Sequence, residues 1–253
     1  MTGWLRVIGL GPGPAHWLTP EANEVLHQAT DIVGYFPYVE AVPASVTAKR
    51  HASDNGVEVD RARDALQMVA AGAKVAVVSG GDAGIFGMAS AVFEVVEHGE
   101  AKWHALDIAV VPGMSALLAA AARAGAPLGH DFCVISLSDY LKPWTSIEKR
   151  LNAASAGDFV LVIYNPASKT RREQLVAAIE NVKKVRGGDT IVIVATAIGR
   201  AEERMSITTL EKINPEDVNM RTLLIIGSSA TRLIKRDGEQ PFVYTPRFYK
   251  ETA

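Results

Sequence analysis

The sequence predicts an α/β fold with helices packed on the faces of mostly parallel sheets. Short runs of Val, Ile and Leu alternate with helical stretches along the 253 residues, the order expected of parallel sheets covered by helices. Four of the loops that follow predicted strands are rich in small residues. The chain is long enough for one large domain or two of ordinary size, and the spacing of its elements changes near residues 112–125, which marks a boundary.

Residues 5–10 (LRVIGL) read as a buried strand, followed by the loop 11–14. Thr19 signals a helix, with Pro20 at its first position and Glu21 and Glu24 in its first turns. Residues 32–35 form a short second strand. Ala62, Ala65, Leu66 and Val69 recur at helical spacing and predict a helix over 57–71, stopped by Gly72. Residues 74–79 (KVAVVS) are a third strand, and their small β-branched run predicts burial on both faces. A helix over 88–96, a strand over 107–111 and an alanine-rich helix over 115–124 follow. In the second half, residues 133–137, 160–164, 191–195 and 223–226 read as strands, and 146–156 and 171–185 as helices. The tail after Arg236 reads as irregular.

The balance of the chain narrows its function. Hydrophobic residues are 48% and charged residues 21%, as in a globular protein with a substantial core. The formal net charge is −2, from 26 Lys and Arg against 28 Asp and Glu. No global positive field draws it to nucleic acid or to anionic lipid. Cys133 is the only cysteine, which excludes an internal disulfide and suits a reducing compartment; its apolar surroundings predict a buried, inert thiol. The six histidines are scattered without ligand spacing, so no protein-bound metal is expected. With no secretory signal and no run near the ~20 apolar residues of a membrane span, the expected location is the cytoplasm.

Ligands of open α/β sheets bind beyond the carboxyl ends of the strands. The first such loop, GLGPGP, departs from a dinucleotide fingerprint because Pro14 replaces the third glycine and no acid ends the second strand; alone it reads as a tight turn. The second, SGGDAGIFGM over 79–88, combines glycines that admit a close ligand, the Asp82 carboxylate, and apolar Ile85, Phe86 and Met88. That mixture suits a small amphiphilic ligand. The third, VPGMSA, opens a helix at Ser115, where the serine also reads as a cap. The fourth, Tyr164-Asn165-Pro166, is joined by the turn 195–199. Basic residues gather at Lys49-Arg50, at Lys169 with Arg171 and Arg172, and at Arg200 with Arg204. The last two groups follow strands of the second half and suit a carboxylate-rich substrate.

Taken in order, GLGPGP, SGGDAGIFGMA and VVPGMSALLAAAARAGAPLGHDF resemble the tetrapyrrole methylases. VISLSDYLKPWTSIEKRL, VIYNPASKTRREQL and ATAIGRAEER are similar to one branch of them, the precorrin-3B C17-methyltransferases. The likeness runs from about residue 4 to 226. It implies two α/β domains, 1–114 and 115–253, with mostly parallel or mixed sheets and S-adenosylmethionine in the cleft between them. Carried over, the cofactor contacts are Pro12, Gly80, Gly81, Asp82, Ile85, Ser115, Ala116, Asn165, Thr196 and Ala197; Ala83 stands where many relatives have proline. Arg171, Arg172 and Arg200 are the candidate substrate contacts. The implied reaction methylates C17 of a reduced tetrapyrrole with ring contraction, yielding S-adenosylhomocysteine, by a homodimer that engages neither nucleic acid nor membrane. Asp139, His130, Asp131 and Tyr140 are conceivable participants in the contraction. Sister branches act on another ring position, on a cobalt-containing intermediate, on RNA or on a diphthamide precursor. A non-catalytic sensing domain is the reading from another class.

Overall fold

Residues 3–168 and 172–248 are described in the computed structural model. The chain divides into two units, Met1–Ala116 and Leu117–Ala253. In the first, β1 (Trp4–Gly9), β2 (Asp31–Tyr35), β3 (Lys49–Ser53), β4 (Lys74–Ser79) and β5 (Asp107–Val111) form a sheet of order β3-β2-β4-β1-β5. Every pairing in it is parallel. Its helices are α1 (Pro20–Gln28), α2 (Phe36–Ala41), α3 (Glu58–Ala70) and α4 (Met88–His98).

Strand β4 shows why this half folds as it does. Val75, Ala76, Val77 and Val78 are all fully buried, because alternate side chains enter different cores. Val75 and Val77 join Leu5, Val7 and the inner faces of α3 and α4. Ala76 and Val78 join Ile8, Ile32 and Leu26 of α1. The Thr19 hydroxyl accepts the Ala22 N–H at 3.1 Å, which satisfies a donor otherwise orphaned in the first turn of α1. Gly72, at φ +97°, turns the chain beyond α3. Strand β3 is not among the expected strands: four of its five residues are Lys, Arg, His and Ser, and it lies at the sheet edge.

The second unit holds α5 (Ala116–Ala124, its first residue shared with the first unit), β6 (Gly125–Ala126), β7 (Phe132–Ser136), α6 (Trp144–Ala156), β8 (Val160–Tyr164) and α7 (Glu173–Arg186). It continues through β9 (Ile191–Thr196), β10 (Arg204–Thr209), β11 (Thr222–Ile226), β12 (Arg232–Arg236) and β13 (Glu239–Tyr244). The main sheet has the order β10-β9-β11-β8-β7. Only β7 and β8 pair in parallel; the other three pairings are antiparallel. The alternation of strands and helices therefore predicts the first sheet well and the second only in part. After β9 the chain returns without a crossover helix, which only antiparallel neighbours allow.

Two further expectations are corrected. The tail after Arg236 is not irregular: β13 pairs with β12 across a turn containing Gly238 at φ +71°, and with β6 on its other side. Val243 is fully buried, and the Thr245 hydroxyl donates to the Pro127 carbonyl at 2.6 Å. Cys133 is half-buried rather than buried, and that burial pushes its thiol pKa up. Among the described residues no helix is long and apolar enough to cross a membrane.

Candidate functional site

Strands β1, β4 and β5 are neighbours, so their carboxyl-terminal loops emerge side by side. The first loop is more than a tight turn. Leu10 N–H donates to the Ser79 carbonyl at 2.9 Å, and Gly11 and Gly81 exchange backbone hydrogen bonds of 3.0 and 2.8 Å. A Cβ on Gly9 would lie 2.7 Å from the Gly113 nitrogen and from the Gly81 oxygen. One on Gly113 would run into the carbonyl oxygens of Gly81 and Gly9. The three loops thus meet backbone to backbone, and only glycine allows that approach.

Asp82 fixes the arrangement. Its Oδ1 accepts the Gly84 N–H at 2.8 Å and its Oδ2 the Gly113 N–H at 3.0 Å. Gly81 has φ +70°, and the atoms nearest an ideal Cβ there, Ala116 N and Ser115 Cα, are 3.9 Å away. Gly80, Gly81, Asp82, Ser115 and Ala116 are therefore brought together, with the Gly81 backbone in van der Waals reach of Ser115 and Ala116. Pro12 is buried directly after Gly11, and Ser115 is buried at the head of α5. Ile85 is half-buried, whereas Phe86 is 52% exposed and held at φ +52°. The Ser79 hydroxyl accepts the Met88 N–H at 3.0 Å and closes the loop onto α4. Tyr38 of α2 packs its ring where a Gly80 Cβ would stand. No local pattern announces that contact, because it joins elements some forty residues apart.

In the second unit β7, β8 and β9 run in one direction, so Ser136, Tyr164 and Thr196 end on one sheet edge. Asn165 has φ +48° and donates from its side-chain amide to the Ser136 hydroxyl at 3.0 Å. Ala197 has φ +53°, and its N–H reaches the Arg221 carbonyl at 2.9 Å. The Thr196 and Thr222 hydroxyls are 2.9 Å apart and buried, so the Thr196 side chain is engaged within the sheet. The Tyr164 hydroxyl accepts the Leu117 N–H at 3.1 Å in the first turn of α5.

Among the described residues four non-glycine residues have positive φ, and Phe86, Asn165 and Ala197 all lie in the loops that composition singles out. Such conformations cost of order 1–3 kcal/mol each and persist where surrounding structure enforces them. Their concentration here marks the same loops independently of their composition.

The basic candidates are less uniform. Arg172 is exposed and pairs with Glu216 at 3.1 Å, so its charge is already engaged. Arg200 is exposed, with its N–H on the Ala197 carbonyl at 3.0 Å. Arg171 and Lys169 lie outside the described residues. Arg50 is a clamp rather than part of a patch: it donates to the carbonyls of Val39, Val42 and Pro43. Asp139 accepts the Gln174 amide at 2.8 Å. His130 accepts the Asp131 N–H through Nδ1 at 2.8 Å.

Residues 5–214 match the family of Tetrapyrrole (Corrin/Porphyrin) Methylases. A precorrin-3B C(17)-methyltransferase of Sinorhizobium sp is 48% identical over 98% of both chains. A probable cobalt-factor III C(17)-methyltransferase of Salmonella typhimurium is 41% identical over 97% of this chain and 99% of its own. The crystal structure of the methyltransferase CobJ superposes with a TM-score of 0.91 at 46% identity, covering 96% of this chain and 100% of that one.

Proposed function

The chain belongs to the tetrapyrrole (corrin/porphyrin) methylases, and from that premise we propose that it methylates C17 of precorrin-3B, with ring contraction to precorrin-4, in cobalamin biosynthesis. The end-to-end likeness to the Sinorhizobium enzyme carries this reading. S-adenosylmethionine is the proposed methyl donor, and it supplies a methyl group already activated on a sulfonium. The residues assigned to it are Pro12, Gly80, Gly81, Asp82, Ile85, Ser115 and Ala116 in the first unit, and Asn165, Thr196 and Ala197 in the second.

The local structure fits that donor. The atoms nearest an ideal Cβ on Gly81 are all backbone, while the Asp82 carboxylate lies 3.2 Å from one on Gly84. Ile85 and the exposed Phe86 add apolar surface that excludes water. Asp82 holds the second and third loops at a fixed separation. What these residues contribute is orientation, since aligning a reactive carbon with an activated methyl needs no protein nucleophile. We read the enzyme as a cytoplasmic homodimer, on family resemblance.

A second reading, favoured by the likeness to the Salmonella protein, is that the substrate already contains cobalt. Mass analysis separates the two. The chain is incubated with S-adenosylmethionine and either precorrin-3B or its cobalt-containing counterpart. The proposal expects one methyl group gained on the metal-free substrate; methylation of the cobalt compound alone favours the second reading, and methylation of neither overturns both.

A further inference from the structure

The loop between β7 and α6 carries a pair of side chains that its surroundings do not explain. Tyr140 is 79% exposed and Leu141 90% exposed, the two most exposed large apolar residues described. Single exposed apolar residues are ordinary, but an adjacent pair at a loop tip leaves a continuous apolar surface in water. Both ends of the loop are anchored. Leu137 is fully buried and its N–H donates to the Tyr164 carbonyl at 3.0 Å. The Ser138 N–H reaches the Ser136 hydroxyl, the same oxygen that accepts from Asn165. At the far end Pro143 leads into α6, with Trp144 against the core and Ile147 fully buried. The tip is held out by a rigid frame tied to the sheet edge that carries Asn165.

Both cations and carboxylates flank the tip, with Lys142, Lys149 and Arg150 against Asp139 and Glu148. Lys142 directly follows Leu141 in the chain; burial, and then the Arg150 cation, push its ammonium pKa down. The Gln174 and Asn181 amides of α7 hold the Asp139 and Glu148 carboxylates of this segment in place and leave their charge intact. A flat apolar body fringed with carboxylates matches an exposed apolar pair flanked by lysine and arginine.

We propose that Tyr140 and Leu141 are the residues that grip the substrate ring, lying against its apolar face while Lys142 and Arg150 meet its peripheral carboxylates. This rests on the tetrapyrrole reading above and deepens it by naming the recognising loop. A preorganised apolar anchor loses little freedom on binding, which is how exposed aromatic and aliphatic residues come to dominate an interface.

The test is the double variant Tyr140→Ser, Leu141→Ser, compared with the conservative pair Tyr140→Phe, Leu141→Met. Substrate KM, S-adenosylhomocysteine affinity by calorimetry, sedimentation mass, and quenching of uroporphyrin fluorescence on binding are measured for each. The serine pair is expected to raise KM and to weaken uroporphyrin binding at least tenfold, with cofactor affinity and mass unchanged. The conservative pair is expected to restore both. An unchanged KM overturns the proposal, as does a change of mass without a change of KM, which would make the tip a protein contact. A wild-type protein that neither binds uroporphyrin nor methylates a corrin substrate removes the functional reading itself, which is a different result from normal wild-type turnover with an insensitive tip.

Discussion

Asp82 and Gly113 are joined by a 3.0 Å hydrogen bond from the glycine N–H to Oδ2, while Oδ1 of the same carboxylate takes the Gly84 N–H. One side chain thus spans two loops that are 31 residues apart in sequence. An amide in its place has a single oxygen and would turn an NH2 toward one of the two donors. Asp82→Asn is therefore expected to lower stability by about 1–3 kcal/mol, the cost of stranding a donor, and to weaken S-adenosylhomocysteine binding at least tenfold. Urea unfolding and calorimetry read the two effects separately. Loss of stability with full cofactor affinity would make Asp82 a fastener only.

Gly9 and Gly113 lie where the three loops touch. Gly9→Ala and Gly113→Ala each place a methyl group inside another backbone, and overpacking of this kind costs ~1–3 kcal/mol or more. Gly56→Ala is the control: at φ +85° it meets nothing within 4 Å, so it carries only the left-handed penalty of about 1–2 kcal/mol. Denaturation midpoints should fall further for the first two, and cofactor binding should fall only for them. Equal behaviour of all three would contradict the interlocked arrangement.

The pair Asp31 and His51 gives a pH dependence with a definite sign. Burial pushes the Asp31 carboxyl up, but the Thr30 hydroxyl and His51, helped by Lys49, outweigh it and hold its pKa below the usual value. The carboxylate accepts from Thr30 at 2.7 Å and lies 2.8 Å from His51. A depressed folded-state pKa adds stability that is fully present above the unfolded value of about 4 and disappears as pH falls through the folded value. Asp31→Asn should thus be less stable than wild type at neutral pH, and the gap should close on acidification below about pH 4. A gap that persists undiminished at about pH 2–3 would contradict the assignment.

S-adenosylhomocysteine should raise the melting temperature in proportion to the logarithm of its concentration. A ligand that binds the native state alone contributes ~2.7 kcal/mol at about a hundred times its Kd. A scan that shows no shift, while NAD produces one, would remove the cofactor assignment.

Much of this is legible in the chain, and what is not has physical causes. Lys74–Ser79 and Val160–Tyr164 can be read to the residue, because burial on both faces leaves an unbroken apolar run. Strands β3, β10 and β12 escape such reading. All five residues of β12, Arg232–Arg236, are exposed, so no buried face imprints an alternation there, and β3 and β10 consist mostly of polar residues without an apolar run. At the site, glycine content and position after strands identify the loops. Which glycines interlock, and which residues take positive φ, depends on contacts between distant segments. Ala197 and Phe86 have no local feature that announces a left-handed turn, and Gly113 is distinguished only by what packs against it.

The central claim is the carbon that receives the methyl group. Precorrin-3B is incubated with the enzyme and S-adenosylmethionine labelled with carbon-13 in its methyl group, and the product is analysed by carbon NMR. The prediction is one enriched methyl signal, correlated with C17 of a ring-contracted product, with S-adenosylhomocysteine formed in equal amount. Enrichment at any other carbon, or S-adenosylmethionine left intact beside unlabelled substrate, would contradict it.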